Sequence, residues 1–203
     1  MRLEQERFSL VKNTDFKSEK KPLSSSSICQ IALAGAMICV LSMVSIPLPF
    51  GVPITLQTMA VSLAGLALGQ KKGTAAVCVY LALGAVGLPV FSGMTGGFGR
   101  LLGATGGFLW GFPAMAFLAG LGASRGTRMG VALGLLGGIF VSYSLGLAQF
   151  MFVTGSDLQA ALLACVIPFL PVDAVKAVAA GVLGMELRRR LQTQRQSNGK
   201  DDW

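Results

Sequence analysis

Asp173 and Lys176 are two ionisable residues inside an otherwise apolar run, Pro168-Phe-Leu-Pro171-Val-Asp173-Ala-Val-Lys176. Three residues apart, they project from one face of a helix. Charges in apolar surroundings are costly unless they are paired or face a cavity. Two readings follow: an internal ion pair that only fixes helix packing, or the polar floor of a ligand site. Pro168 and Pro171 bear on the choice, because proline fixes φ and removes a backbone donor. Their placement predicts a helix broken or restarted there, with Asp173 in the first turn of the new segment. Irregular backbone of that kind at membrane depth lines cavities.

Two weaker signals lie elsewhere. Arg100 is the lone charge in the glycine-rich stretch Phe91-Ser-Gly-Met-Thr-Gly-Gly-Phe-Gly-Arg100. It is either a solvated loop residue or a clamp for an anionic group, which a guanidinium suits. The glycines around it allow close backbone approach to a ligand. Gln57, with Thr55 and Thr58 beside it, either hydrogen-bonds a substrate or serves helix capping and helix pairing.

Several catalytic chemistries are absent. The chain contains no histidine, which removes HExxH metal sites and Ser-His-Asp triads. Gly69-Gln-Lys-Lys-Gly-Thr74 has the wrong spacing for a phosphate loop, so ATP is not hydrolysed by that route. Cys29, Cys39, Cys78 and Cys165 sit in apolar runs without paired spacing, which leaves disulfides, zinc and other metal sites unsupported. No cofactor is implied. The residues point to binding or transport, not to an enzyme.

The elements that must position these groups follow from composition. Hydrophobic residues make up 53% of the 203 and charged residues 13%, about half the charged share of a soluble domain. Mean hydropathy is +0.65. The stretch from Ile28 to Leu187 carries only nine charged residues. A span needs about 20 apolar residues, so this stretch predicts an all-α polytopic membrane protein with six transmembrane helices. Their expected limits are Ile28–Ile46, Ile54–Gly69, Gly73–Val90, Leu102–Gly122, Met129–Val153 and Leu158–Leu187. Pro47, Pro49, Gly51 and Pro53 predict a tight extended turn after the first span.

Basic residues fall in alternate connections: six before the first span, Lys71 and Lys72, Arg125 and Arg128, and five in the tail. Lys and Arg collect on the cytoplasmic side, which places both termini there in a plasma-membrane protein. The same distribution accounts for the net charge of +8 without nucleic acid. The domain reading is a disordered cytoplasmic leader at 1–27, a six-helix membrane domain at 28–187 and a basic cytoplasmic tail at 188–203. The leader is too polar and too mixed in charge for a signal peptide, and Ser24 to Ser27 end it near a helix N-cap. With the inner boundary near Glu186, Asp173 lies about 20 Å above it, in the outer half of the bilayer. Small residues four apart, including Ala32 with Ala36, Gly65 with Gly69, Gly103 with Gly107, and Gly130, Gly134 and Gly138, serve close packing within the chain or against a partner.

Four ordered segments carry a resemblance. They are Ile46-Pro-Leu-Pro-Phe-Gly-Val-Pro-Ile-Thr-Leu-Gln-Thr58, Gly84-Ala-Val-Gly-Leu-Pro-Val-Phe91, Thr105-Gly-Gly-Phe-Leu-Trp-Gly-Phe-Pro113 and Pro171-Val-Asp-Ala-Val-Lys176. Together they resemble the biotin-specific S component of energy-coupling-factor transporters, the BioY family, over about Ile28 to Leu187. One departure is Ala104-Thr-Gly-Gly-Phe108, where the family usually has Pro-Thr-Gly-Gly-Tyr.

The resemblance implies a six-helix S-component fold that captures biotin from outside and joins a transmembrane T component and a pair of ATPases. Some members act without those partners. It also implies that Ala32 and Ala36 are the AxxxA contact with the T component. Biotin's ureido ring has two N–H donors and a carbonyl, matched by Asp173 on an N–H and Lys176 on the carbonyl. Arg100 then takes the carboxylate or holds the loop closing over it, unless Lys176 takes that carboxylate instead. Ser92, Gln57 and the backbone around Gly87 are further contacts. The alternative within transport is an S component for another small vitamin or metabolite.

Overall fold

The structure is a computed structural model describing residues 24–47 and 52–198, with side chains to residue 193. The expected leader therefore lies outside the described residues up to position 23, as does the end of the tail. Helix α1 (Ser25–Met43) begins inside the serine run. Ser24 is its N-cap, with Oγ accepting the Ser27 N–H at 3.3 Å, which satisfies one of the helix's free donors. Strands β1 (Ser45–Ile46) and β2 (Ile54–Thr55) follow as an antiparallel pair, Ser45 opposite Thr55 and Ile46 opposite Ile54. This two-residue ribbon is a small addition to a mostly helical chain, and the middle of the expected proline turn, 48–51, lies outside the described residues. Pro47 and Pro53 hold the flanking backbone extended and bar a helix, so the two ends of the turn pair as strands.

Helix α2 (Gln57–Ala85) covers what the sequence suggests are two spans. It breaks at Gly69, where φ +81° and ψ 172° require a residue without Cβ. Gln57 Nε2 donates to Tyr80 Oη at 2.7 Å, and a Cβ on Gly73 would lie 2.6 Å from Gly65 Cα. Both pairs are centred on residues 68–69, so the two arms run antiparallel, with Lys71 and Lys72 at their turn.

A short helix α3 (Phe98–Leu102) precedes α4 (Gly106–Ser124), which divides the expected fourth span near its start. Helix α5 (Arg128–Thr154) is capped by Thr127 and closed by Gly155 at φ +68°. Helices α4 and α5 form a second antiparallel hairpin joined through glycines. A Cβ on Gly107 would meet the Leu145 carbonyl, one on Gly122 the Gly130 carbonyl, and one on Gly138 the Met115 backbone. Gly65 likewise lies against the Ala116 backbone, tying α2 to α4. These glycines serve packing within the chain. Ala32 and Ala36 differ, since both are exposed on α1.

Helix α6 (Leu158–Cys165) and helix α7 (Leu170–Asn198) are bent 47° apart across 166–169. Helices α1, α4 and α5 are each long and apolar enough to cross a membrane, and α6 with α7 makes a fourth candidate as one broken span. Three contacts gather the basic connections at one end. Lys72 Nζ donates to Gln30 Oε1 at 2.8 Å, Arg188 Nη1 donates to the Leu66 carbonyl at 3.3 Å, and Gly120 lies against Gln70. The ribbon, the 86–97 loop and the α7 start lie at the other end.

Candidate functional site

The site begins with the restart of the last helix. Val166 to Phe169 form turns, helix resumes at Leu170, and Asp173 falls in the first turn with its N–H on the Phe169 carbonyl at 2.7 Å. The side chain is 4% exposed and collects three donors. Lys176 Nζ lies 2.8 Å from Oδ1, Thr58 Oγ1 donates to the same oxygen at 3.1 Å, and Tyr143 Oη donates to Oδ2 at 2.6 Å. Helices α2, α5 and α7 thus meet at one carboxylate. An ionised carboxylate offers about four acceptor positions and an ammonium three donors. Asp173 keeps about one acceptor position, and Lys176, 8% exposed, has no other hydrogen-bond partner among the described residues.

This pair forms part of the wall of a cavity of about 400 Å³, within the range typical of small-molecule sites, roughly 300–1,000 Å³. Its polar lining adds Thr55, Gln57, Ser92, Thr95 and Arg100, and its apolar lining includes Val52, Phe91, Phe108, Leu109, Phe112 and Phe169. Gln57 is held by Tyr80 and by Thr55 Oγ1, which donates to Oε1 at 3.1 Å. Tyr80 meets Phe91 edge-on, with ring centroids 5.5 Å apart, and Phe108 meets Tyr143 the same way at 6.1 Å. The aromatic walls are braced by the polar groups behind them.

Ser92 Oγ is buried and, among the described residues, is the side-chain polar atom found without a partner. A buried hydroxyl left unpaired costs roughly 1–3 kcal/mol, and this one stands in the cavity wall. Arg100 stands on α3 and is exposed at the rim, its Nε donating to Thr95 Oγ1 at 2.8 Å. Thr95 in turn donates to the Ser92 carbonyl at 2.9 Å. The cavity therefore has a buried Asp–Lys pair in its wall and an exposed cation at its rim.

Five of the residues singled out from the sequence meet here: Asp173, Lys176, Arg100, Ser92 and Gln57. Gly87 does not line the cavity; it is exposed, with φ +107°, and turns the chain out of α2. Tyr143 was not singled out from the sequence. The chain has only two tyrosines, both within apolar spans, and a phenol buried there needs a polar partner. That was the available signal.

The model of the BioY family matches residues 14–193. The biotin transporter BioY of Rhodobacter capsulatus is 42% identical over 171 residues, covering 77% of this chain and 90% of that protein. The biotin transporter BioY of Thermotoga maritima is 39% identical over 155 residues, covering 76% and 90%. A crystal structure described as the S-component for biotin from an ECF-type ABC transporter superposes with a TM-score of 0.74 at 31% identity. It covers 81% of this chain and 91% of that one.

Proposed function

The chain belongs to the BioY family, and from that premise we propose that it captures biotin from outside the cell as the S component of an energy-coupling-factor transporter. It is a membrane transport protein and not an enzyme. The observation that carries the substrate reading is the buried Asp173–Lys176 pair in the wall of a cavity that also holds an unpartnered Ser92 hydroxyl. A ureido ring is complementary to what is left over there. One N–H goes to the open acceptor position of Asp173, the carbonyl accepts from Lys176, and Ser92 and Gln57 complete the polar contacts. The fused rings and thioether pack against Phe108, Phe112 and Phe169. Arg100 takes the carboxylate at the rim, where a guanidinium is well suited to a flexible acidic tail.

Six crossings fit this arrangement: α1, the two arms of α2, α4, α5, and α6 with α7 as one broken span. With Lys71, Lys72 and Arg188 gathered at one end of the bundle, that end faces the cytoplasm together with both termini. The cavity then opens outward. The chain has no phosphate loop, so coupling to ATP comes from a T component and its ATPases. The exposed Ala32 and Ala36 on α1 form the contact with the T component, because small side chains let a second helix approach closely.

Membranes from cells expressing the chain should retain labelled biotin, released by unlabelled biotin and not by a panel of other small vitamins. Release by another vitamin at lower concentration than biotin would overturn the substrate assignment.

A further inference from the structure

A second cavity lies between α5 and α7, on the other side of Asp173, which lines both it and the biotin site. It is an apolar groove of about 1,120 Å³. Its depth comes from small residues on α7. A Cβ on Gly181 would touch only side-chain tips of α5, Leu135 Cδ1 at 3.7 Å and Val131 Cγ1 at 4.0 Å. Along its walls Leu136 and Val178 are 63% and 69% exposed. Helices α5 and α7 therefore leave a seam between them, whereas α4 and α5 meet backbone to backbone.

The charges of the groove are concentrated at the end where the basic connections gather. Arg128 at the start of α5 and Arg189 on α7 both line it and both are exposed. Neither side chain has a hydrogen bond or ion pair among the described residues. Glu186 beside them is already neutralised by Arg190, at 2.8 Å. Arg189 also attracts Glu186 electrostatically, and the rim keeps a net positive charge above an apolar channel, with two guanidinium groups that make no hydrogen bond among the described residues. Its lining on α7 runs from Arg189 to Leu170, about 28 Å by helix rise, of which the half nearest the arginines spans the depth of one leaflet, about 15 Å.

We propose that this groove binds one anionic phospholipid of the cytoplasmic leaflet, with its phosphate on Arg128 and Arg189 and an acyl chain along Gly181. The inference rests on the reading that the basic end faces the cytoplasm. Cations at headgroup level, with apolar walls beyond them as far as Asp173, match an anionic lipid in charge and in the apolar length its acyl chain needs. A transmembrane helix of a partner would be about 10–12 Å across and has no use for two unpaired cations at one end.

The full chain, purified in mild detergent, is loaded with phosphatidylglycerol or with phosphatidylcholine of identical acyl chains, and bound lipid is counted by native mass spectrometry. One phosphatidylglycerol should be retained per chain at least tenfold more strongly than phosphatidylcholine. Arg128→Gln with Arg189→Gln should weaken its retention roughly 30-fold, about fivefold for each cation. Gly181→Leu, which fills the groove floor, should lower retention of both lipids. Equal retention of the two lipids by the unaltered chain would overturn the proposal, as would unchanged retention in the double arginine variant. So would cross-linking of a polypeptide, in place of lipid, to a cysteine introduced by Ala177→Cys. Labelled biotin is measured on the same samples, so that failure of the substrate reading is scored separately from lipid retention.

Discussion

Lys176→Met removes the ammonium 2.8 Å from Asp173 Oδ1 while keeping most of the side chain's length. Asp173 then keeps only the hydroxyls of Thr58 at 3.1 Å and Tyr143 at 2.6 Å. Breaking a buried pair from one side costs about 3–5 kcal/mol. Two donors remain and the carboxylate borders a cavity, which puts the cost at about 3 kcal/mol. For a chain of this size that lowers the melting temperature by roughly 6–12 °C. Adding Asp173→Asn removes the stranded charge. The amide oxygen still accepts from Tyr143, and its NH2 can donate to the Thr58 hydroxyl. Stability should return to within about 1 kcal/mol of the unaltered chain. Biotin affinity should follow the opposite course, because the double variant loses both charge-assisted hydrogen bonds to the ureido group. At about 1.5–3 kcal/mol each, affinity falls roughly 100-fold or more. Differential scanning in mild detergent reads stability, and isothermal titration reads affinity. A double variant with both wild-type stability and wild-type affinity would mean that the pair serves packing alone, and the site assignment would fail.

Tyr143→Phe keeps the edge contact with Phe108 but strips one donor from Asp173, and titration should show biotin held about 5–30-fold more weakly. Arg100→Gln should weaken biotin roughly tenfold or more while leaving biotin amide unaffected; equal losses for both ligands would remove Arg100 from the carboxylate. Ala32→Leu with Ala36→Leu, on the exposed face of α1, should abolish copurification with a T component and leave biotin binding unchanged. Gly107→Ala drives a Cβ into the Leu145 carbonyl and should cost about 1–3 kcal/mol in thermal stability. Gly137→Ala, whose nearest neighbour would be the Leu118 side chain at 3.7 Å, should be neutral in the same assay.

Local backbone chemistry was legible in the residues. Pro168 and Pro171 announce the restart of the last helix, and the serine run announces the first cap, because fixed φ and side-chain acceptors act within a few residues. Gly69 between two apolar stretches marks the turn of α2, with its lysines at the same place. The ribbon of β1 and β2 left no periodic trace, since two-residue strands are too short to show alternation. Tyr143, and the contact that Thr58 makes with Asp173, were hidden for another reason. They reach Asp173 across 30 and 115 residues of sequence, and only the packing of α2 and α5 on α7 brings them there. Gly87, a glycine next to a conspicuous motif, reads in the sequence equally well as ligand contact or as turn, and its φ of +107° puts it at a turn.

Close backbone packing and polar cavity lining are concentrated on different helix pairs, although α4 and α5 also lend Phe108, Phe112 and Tyr143 to the cavity. Helices α4 and α5 meet through glycines that let the backbones touch, which in a membrane is a main source of association because lipid removes the hydrophobic drive between helices. Helices α2 and α7, by contrast, carry polar groups toward the cavity: Gln57, Thr58, Asp173 and Lys176. Replacing such groups with apolar side chains of similar volume is often neutral or stabilising, so stability alone does not account for them. The kink before α7 supplies the rest of the explanation. The same bend that places Asp173 in a first turn opens the space in front of it, and three donors hold the carboxylate in one position within that space. What remains unpaired is about one acceptor position on Asp173, the free donors of Lys176 and the Ser92 hydroxyl. On the proposed reading, that remaining hydrogen-bonding capacity meets a cyclic urea, and selectivity follows because a ligand lacking either the N–H or the carbonyl would leave a buried partner unpaired.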